Sequence, residues 1–328
     1  VDGSSEKYLD STAQILNVLE SFSDQVEMTS CDEAYLDVTR SQRCFGSDGA
    51  GIAQMVKDKV RAVTGLPCSV GVASNKLLAK LASDKQKPDG LTVIAPERAD
   101  EMLAQTPVEE LCGVGRHLKV KLNMLGIKTC KEMGDKSLSF MQDHFGFWGY
   151  WLKRMGQGVD RSPVKKMSES QPVKSVGHST TFPRDTSDPD MLKSFLMMLS
   201  EKVAVRLRRG RYQGSTVSLT VRYKDFTTFS RQTRRSGPTS DGWEIYCCAW
   251  QIMGRVGELV QPVRLLGVSV SDLEPDACQE FLFEAMSRRR RIAEINDSIN
   301  KKFGAFTLRP ARTLFAEQSG VLSPPIPP

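Results

Sequence analysis

Long apolar runs are missing from this chain: no stretch approaches the length of a membrane span, and no signal peptide precedes the first helical pattern. The expectation is a soluble, cytoplasmic protein with no membrane partner. Cysteines at metal-ligand spacing are missing too. The eight cysteines are scattered without a CxxC pair, Cys247 and Cys248 being merely adjacent, so neither a zinc site nor a disulfide framework is indicated. Strong charge of one sign is also lacking. Lys and Arg number 45 against 39 Asp and Glu, a formal net of +6, yet basic clusters gather in the second half, which suits a polyanionic partner. A chain of 328 residues is too long for one compact core and calls for several domains.

What is present centres on Val26 to Thr39, VEMTSCDEAYLDVT. Val26 and Met28, then Tyr35, Leu36 and Val38, are strand-type residues flanking a polar break, a pattern of two short strands meeting at a turn. Asp32 and Glu33 sit at the break. Consecutive strand residues face opposite ways, so these carboxylates serve one site only if the backbone bends there. Adjacent acids repel unless neutralised, and a hard cation with oxygen ligands does this where phosphates are handled. A solvated turn with two acids is the competing reading. Cys31 beside them reads as a small buried packing residue.

Around this hairpin the spacing predicts an amphipathic helix through Tyr8, Ile15, Leu16, Leu19 and Phe22. A second helix, Ile52 to Val63, is ended by Gly65 and Pro67, and a short strand follows over Cys68 to Val72. Ser74 and Asn75 open a helix running to Lys85, whose N-terminus and lysines suit phosphate. A solvated lysine face is the plainer reading for Lys80 and Lys85. Residues 97–160 read as compact and helical. Within them ELCGVGRHLKVKLNMLGI (Glu110 to Ile127) is a helix end, a tight turn and a second helix, in which Gly113 and Gly115 let backbone N–H groups approach a DNA phosphate without sequence readout. A purely structural helical hairpin is the alternative. Residues 161–174, rich in Ser, Pro and Lys, read as linker.

Beyond the linker the predicted order is a strand at Ser175–Phe182, a helix at Met191–Arg209, strands at Thr216–Arg222 and Phe226–Arg231, a helix at Trp243–Leu259 and a strand at Val263–Val270. This βαββαβ order is a ferredoxin-like unit. Val217, Leu219 and Val221 alternate onto one face. Arg222, Lys224, Arg231, Arg234 and Arg235 are expected on a polar, basic face lying along a DNA backbone. Arg288 to Arg291 with Ile292, Ile295, Ile299 and Phe303 predict a basic amphipathic helix, and the SPPIPP tail has linker composition.

The SCDEAYLD string, GVASNKLLAKLASDKQKPDG (Gly71 to Gly90) and the Glu110–Ile127 segment, in this order and spacing, resemble the Y-family DNA polymerases, most closely the DinB or DNA polymerase IV branch. The resemblance covers nearly the whole chain. It implies an α+β fold: a partial polymerase palm (1–95), a small helical thumb with helix-hairpin-helix (96–165), a linker (166–174), a ferredoxin-like βαββαβ little finger (175–275) and a clamp-binding, helical C-terminal tail (276–328). It implies translesion DNA synthesis in damage bypass with two Mg²⁺ ions. Asp32 and Glu33 would be catalytic metal ligands, Glu33 completing the site for the ion that activates the primer. Lys87 in KPDG would bind the incoming triphosphate, and Asn75 and Lys76 would hold the primer strand.

Gln279 to Phe283, QEFLF, resembles the bacterial sliding-clamp-binding pentapeptide, with Gln279, Leu282 and Phe283 as anchors. The implied partners are primer-template DNA, deoxynucleoside triphosphates and the sliding clamp, with the protein a monomer. Two departures are visible. Relatives usually carry Pro where Cys112 stands. They also open with a strand bearing a further metal-binding Asp and then a fingers domain, neither matched before Asp32, so the chain is expected to be a fragment, starting inside the palm, that lacks normal polymerase activity. The competing readings are a non-catalytic relative acting as a DNA- and clamp-binding adaptor, against which the retained Asp32, Glu33 and Lys87 argue, and a helix-hairpin-helix repair glycosylase or nuclease.

Overall fold

Apolar residues recurring at helical spacing fold the first stretch into α1 (Ser5–Glu20), which lays Val18 and Leu19 on a core completed by Phe22, Val26, Ile52, Val56 and Val60. Tyr8 lies off that core and is exposed. The structure is a computed structural model and describes residues 5–166, 172–257, 259–276 and 284–318. The chain divides into two compact units between Gln171 and Pro172.

In the first unit β1 (Val26–Met28) and β2 (Ala34–Leu36) pair antiparallel, Glu27 opposite Tyr35. A single turn, α2 (Gln42–Phe45), leads to α3 (Gly49–Thr64), which the Asp48 carboxylate caps by accepting the Gly51 N–H at 2.9 Å; Gly65, at φ +72°, ends it. Next come β3 (Val70–Val72), α4 (Lys76–Lys85) and β4 (Leu91–Val93), with β3 and β4 parallel. The four strands make two separate two-stranded sheets. Gly71 brings β3 against α4: a Cβ there would lie 2.0 Å from the Ala79 carbonyl oxygen, so no other residue fits.

The remainder of this unit is helical: α5 (Ala99–Gln105), α6 (Arg116–Met124), α7 (Cys130–Asp135), α8 (Leu138–Phe145) and α9 (Phe147–Gly156). They share a second core, in which Leu103, Leu122, Ile127, Met133 and Met141 are fully buried beside Leu78 and Leu81 of α4. Thr129 and Glu132 form a capping box at the start of α7.

The second unit contains β5 (Ser175–Thr186), α10 (Pro189–Arg209), β6 (Tyr212–Tyr223), β7 (Thr228–Thr239), α11 (Gly242–Val256) and β8 (Val263–Pro275). The fold is α+β, and this βαββαβ unit has the expected element order. Its four strands run in the order β5-β8-β6-β7, every neighbouring pair antiparallel. Val217, Leu219 and Val221 of β6 and Leu266, Val268 and Val270 of β8 are buried against α10 and α11. The described part of the tail belongs to this unit. It comprises α12 (Glu284–Phe303) and α13 (Leu314–Gln318), and Ala316, buried, donates its N–H to Ser194 Oγ of α10 at 2.8 Å.

Candidate functional site

The tip between β1 and β2 is shaped by Ser30, whose hydroxyl accepts the N–H groups of Asp32 and Glu33 at 3.3 and 3.1 Å and donates to Asp32 Oδ1. The Glu33 carbonyl accepts the Thr29 N–H at 2.9 Å and so closes the loop. Asp32 and Glu33 therefore fall outside the alternating strand backbone, and both line one cleft of about 550 Å³ with Tyr35, Lys80 and Lys87. Cys31 is exposed at the tip rather than buried: a turn standing clear of the core offers nothing to pack against.

Opposite the tip stands α4. Lys80 Nζ lies 2.9 Å from Glu33 Oε1 and 3.0 Å from Asp84. Burial opposes the Lys80 charge, but the hydrogen bonds to Glu33 and Asp84 outweigh it and hold the ammonium above its ordinary value. Lys87 is half exposed and reaches Asp84 at 2.6 Å. Burial would raise the Asp84 carboxyl, yet its bonds from Lys87 and Lys80 hold it below its usual range.

Asn75 and Lys76 serve the scaffold. Asn75 caps α4 by accepting the Leu78 N–H at 3.0 Å and donates to the Gly158 carbonyl at 2.8 Å. Lys76 pairs with Glu27 of β1 at 3.0 Å and lies over the Tyr35 ring. The reading of Lys80 as part of a solvated lysine face is corrected: its side chain is only 19% exposed and is held by Glu33 and Asp84. The part that Ser30 plays in the turn has no counterpart in the sequence pattern.

At the CGVG turn Gly113 takes φ +100°, which favours glycine, while Val114 is buried and pins the loop. Gly115 precedes α6, a Cβ there would meet nothing within 4 Å, and no side chain caps the first N–H groups of α6. Arg116, Lys119 and Lys121 follow on the helix, Lys119 paired with Glu109 at 2.7 Å.

In the second unit the strand register divides the expected basic face. On the face away from the helices, β6 presents Thr216, Ser218, Thr220 and Arg222 opposite Arg234, Gln232, Ser230 and Thr228 of β7, with Ser271, Ser269 and Gly267 of β8 alongside. These side chains bond one another, Thr220 with Ser230 at 2.7 Å and Arg222 Nε to Thr228 Oγ1 at 2.9 Å. Arg231 is directly opposite Leu219 and so belongs to the other face, its guanidinium over the Phe229 ring. Arg235 turns to α11 and pairs with Glu244 at 2.8 Å. Placing all five basic residues on one face is thus corrected: a period of two puts odd and even positions of β7 on opposite sides. Lys224 lies exposed in the β6–β7 connection. Gln279, Leu282 and Phe283 lie outside the described residues. Among the described residues no three His, Cys, Asp or Glu side chains are grouped to hold a metal ion.

Three family profiles match the chain: the impB/mucB/samB family over residues 1–84, a DNA polymerase-iota thumb domain over 109–160, and the impB/mucB/samB family C-terminal domain over 173–281. The chain is 36% identical over 316 residues to the DNA polymerase IV of Pelotomaculum thermopropionicum, a match spanning 96% of this chain and 78% of that protein. It is 37% identical over 282 residues to the DNA polymerase IV of Halorhodospira halophila, spanning 86% and 78%. A Y-family DNA polymerase chimera (Dbh-Dpo4) superposes with a TM-score of 0.70 at 25% identity, covering 82% of this chain and 77% of the chimera.

Proposed function

Because the chain belongs to the DNA polymerase IV branch of the Y-family DNA polymerases, we propose that it takes part in template-directed DNA synthesis across damaged template. The observation that carries this reading is the adjacent Asp32 and Glu33 carboxylates turned into one cleft with Lys80 and Lys87. Their oxygens are the hard donors that suit Mg²⁺, and Asp32 and Glu33 would hold it. Held there by Asp32 and Glu33, such an ion would supply charge neutralisation of the triphosphate and acidification of the primer 3′-hydroxyl.

The protein's own groups do the rest. Lys87 exchanges Asp84 for a phosphate oxygen at little cost, since a half-exposed ion pair is worth only about 0.2–1 kcal/mol. Lys80 keeps Glu33 neutralised until a cation takes over. Two carboxylates are few for two ions, so extension by this chain is proposed to be slower than by the relatives named above; equal rates would refute that.

DNA contacts are assigned to the N–H groups at Gly113 and Gly115 and to the open sheet face, whose short hydroxyl side chains let a phosphate backbone come close to Arg222 and Arg234. Lys224, on its exposed connection, and Arg231, exposed on the edge strand β7, are proposed to reach the DNA from beside that face. Asn75 and Lys76 help to hold the primer strand through the helix they anchor. The palm spans 1–95, the thumb 96–165, the linker 166–174, the little finger 175–275 and the tail 276–328, and the QEFLF segment docks on a sliding clamp.

The test is primer extension with Mg²⁺, together with Mg²⁺-dependent nucleotide binding to the protein–DNA complex. Asp32→Ala and Glu33→Ala are each expected to cut both readouts by about 100-fold or more while sparing primer-template affinity. Wild-type values in both variants would sink the assignment.

A further inference from the structure

The second unit contains a cavity of about 640 Å³ walled by α10, the start of α11, α12 and the segment that follows it. This is the size range of small-ligand sites. One feature of its lining is unusual. Glu201 of α10 has no hydrogen-bond partner among the described residues, and its carboxylate is pressed against Gly242 so closely that a Cβ there would lie 2.3 Å from Oε1. The nearest cation does not satisfy it, because Arg208 is engaged by Asp297 through two bonds of 2.7 and 2.8 Å and by the Ser240 carbonyl at 2.8 Å. A recessed carboxylate without donors costs stability unless something supplies them.

Other parts of the lining complement that group. Arg209 stands eight residues further along α10, about 12 Å at 1.5 Å per residue. It is exposed, and neither it nor Arg289 of α12 has an ion-pair partner among the described residues. The lining also includes planar apolar surfaces: Trp243, 44% exposed, and Phe306. A fitting ligand thus needs two N–H donors side by side for Glu201, a flat body for the aromatic walls and an anion for the free guanidiniums. Cytosine and adenine each offer one donor group on the pairing edge; guanine alone presents two adjacent ones, N1–H and the N2 amino group.

We propose that this cavity is a binding site for a guanine nucleotide, with Glu201 reading the base edge and Arg209 and Arg289 holding the phosphate. The site lies wholly within the second unit and does not depend on the polymerase reading.

The test is isothermal titration of the full chain in EDTA, which silences divalent-dependent binding at Asp32 and Glu33, with GMP, AMP, guanosine and inorganic phosphate as separate ligands. GMP is expected to bind with a stoichiometry near one and more tightly than the other three. Glu201→Gln and Arg209→Ala, each checked for an intact melting transition, should weaken GMP about tenfold or more, while Asp32→Ala leaves it unchanged. Arg209 is exposed, so its variant is informative even if Glu201→Gln folds poorly. Absence of GMP binding, AMP or phosphate binding as tight as GMP, or affinity unchanged in the Arg209 variant would each overturn the proposal. Loss in Asp32→Ala alone would assign the binding to the other unit and overturn it equally.

Discussion

Lys80 Nζ and Glu33 Oε1 lie 2.9 Å apart, joining α4 to the tip of the first hairpin. The lysine side chain is mostly buried, and its charge persists there because Glu33 and Asp84 both accept from it. The ammonium thus offsets the repulsion between neighbouring acids that a divalent ion would otherwise relieve. If Glu33 holds a divalent ion as proposed, that ion and this lysine compete for it.

Replacing Lys80 by Met removes the competitor while keeping the apolar stem. The variant is expected to be slightly less stable without divalent ions, by about 0.5–1 kcal/mol, and to gain more from them. The measurement is the rise in Tm on adding Mg²⁺, which should be larger in Lys80→Met than in the wild type. An equal rise would mean that Glu33 and the ion do not share a site.

Lys87 pairs with Asp84 at 2.6 Å and is half exposed. Lys87→Ala should weaken nucleotide binding to the protein–DNA complex about tenfold, by removing a charged contact to phosphate, and leave primer-template affinity alone. Asp84→Asn, which frees the lysine, should not weaken nucleotide binding. Weakening of DNA and nucleotide together in Lys87→Ala would put the lysine on the DNA instead.

Much of this was legible in the chain because the signals were local. Asn75 caps α4 in the way its side chain favours, and the alternation Val217, Leu219, Val221 marks which face of β6 is buried. The polar break at Asp32 and Glu33 gave the bend between two strands. What escaped was non-local. β7 runs on past the expected end at Arg231 to Thr239, through Gly237 and Pro238, because β7 is an edge strand where a missing N–H is harmless. The contact of Lys80 with Glu33 spans 47 positions, and no helix pattern could disclose it. Arg235 looked like part of a basic face until its partner Glu244, on another element, was known.

Burial pushes the Glu201 carboxyl up to about 7, against the charge of Arg208 and with help from Asp241 and Asp297. Between about pH 4.5 and 7 the folded protein keeps a proton that the unfolded chain gives up, so this group's contribution falls as pH rises and is fully lost above the folded value. The size is on the order of 3 kcal/mol. His178, which lines the same cavity, is pushed down by burial and by Lys202 and Arg206, and its contribution is lost as pH falls. Comparing wild type with Glu201→Gln isolates the carboxyl: the variant should lose less stability from pH 5 to 7.5 and be the more stable protein at pH 8. Parallel curves for the two proteins would show that Glu201 ionises normally.

The register of β6 and β7 separates arginines that sequence alone grouped together. Arg222 and Arg234 are on the open face, while Arg235 holds the start of α11 through Glu244, which also accepts from Thr239 at 2.6 Å. Arg222→Ala and Arg234→Ala should each weaken DNA binding uniformly across sequences and lower the slope of log affinity against log salt by about 0.9, with Tm nearly unchanged. Arg235→Ala should do the reverse, costing about 1–2 kcal/mol of stability by stranding Glu244, with the salt slope kept. The two readouts are independent, so a salt slope reduced in Arg235→Ala but not in Arg222→Ala would place the DNA on the opposite side of the sheet.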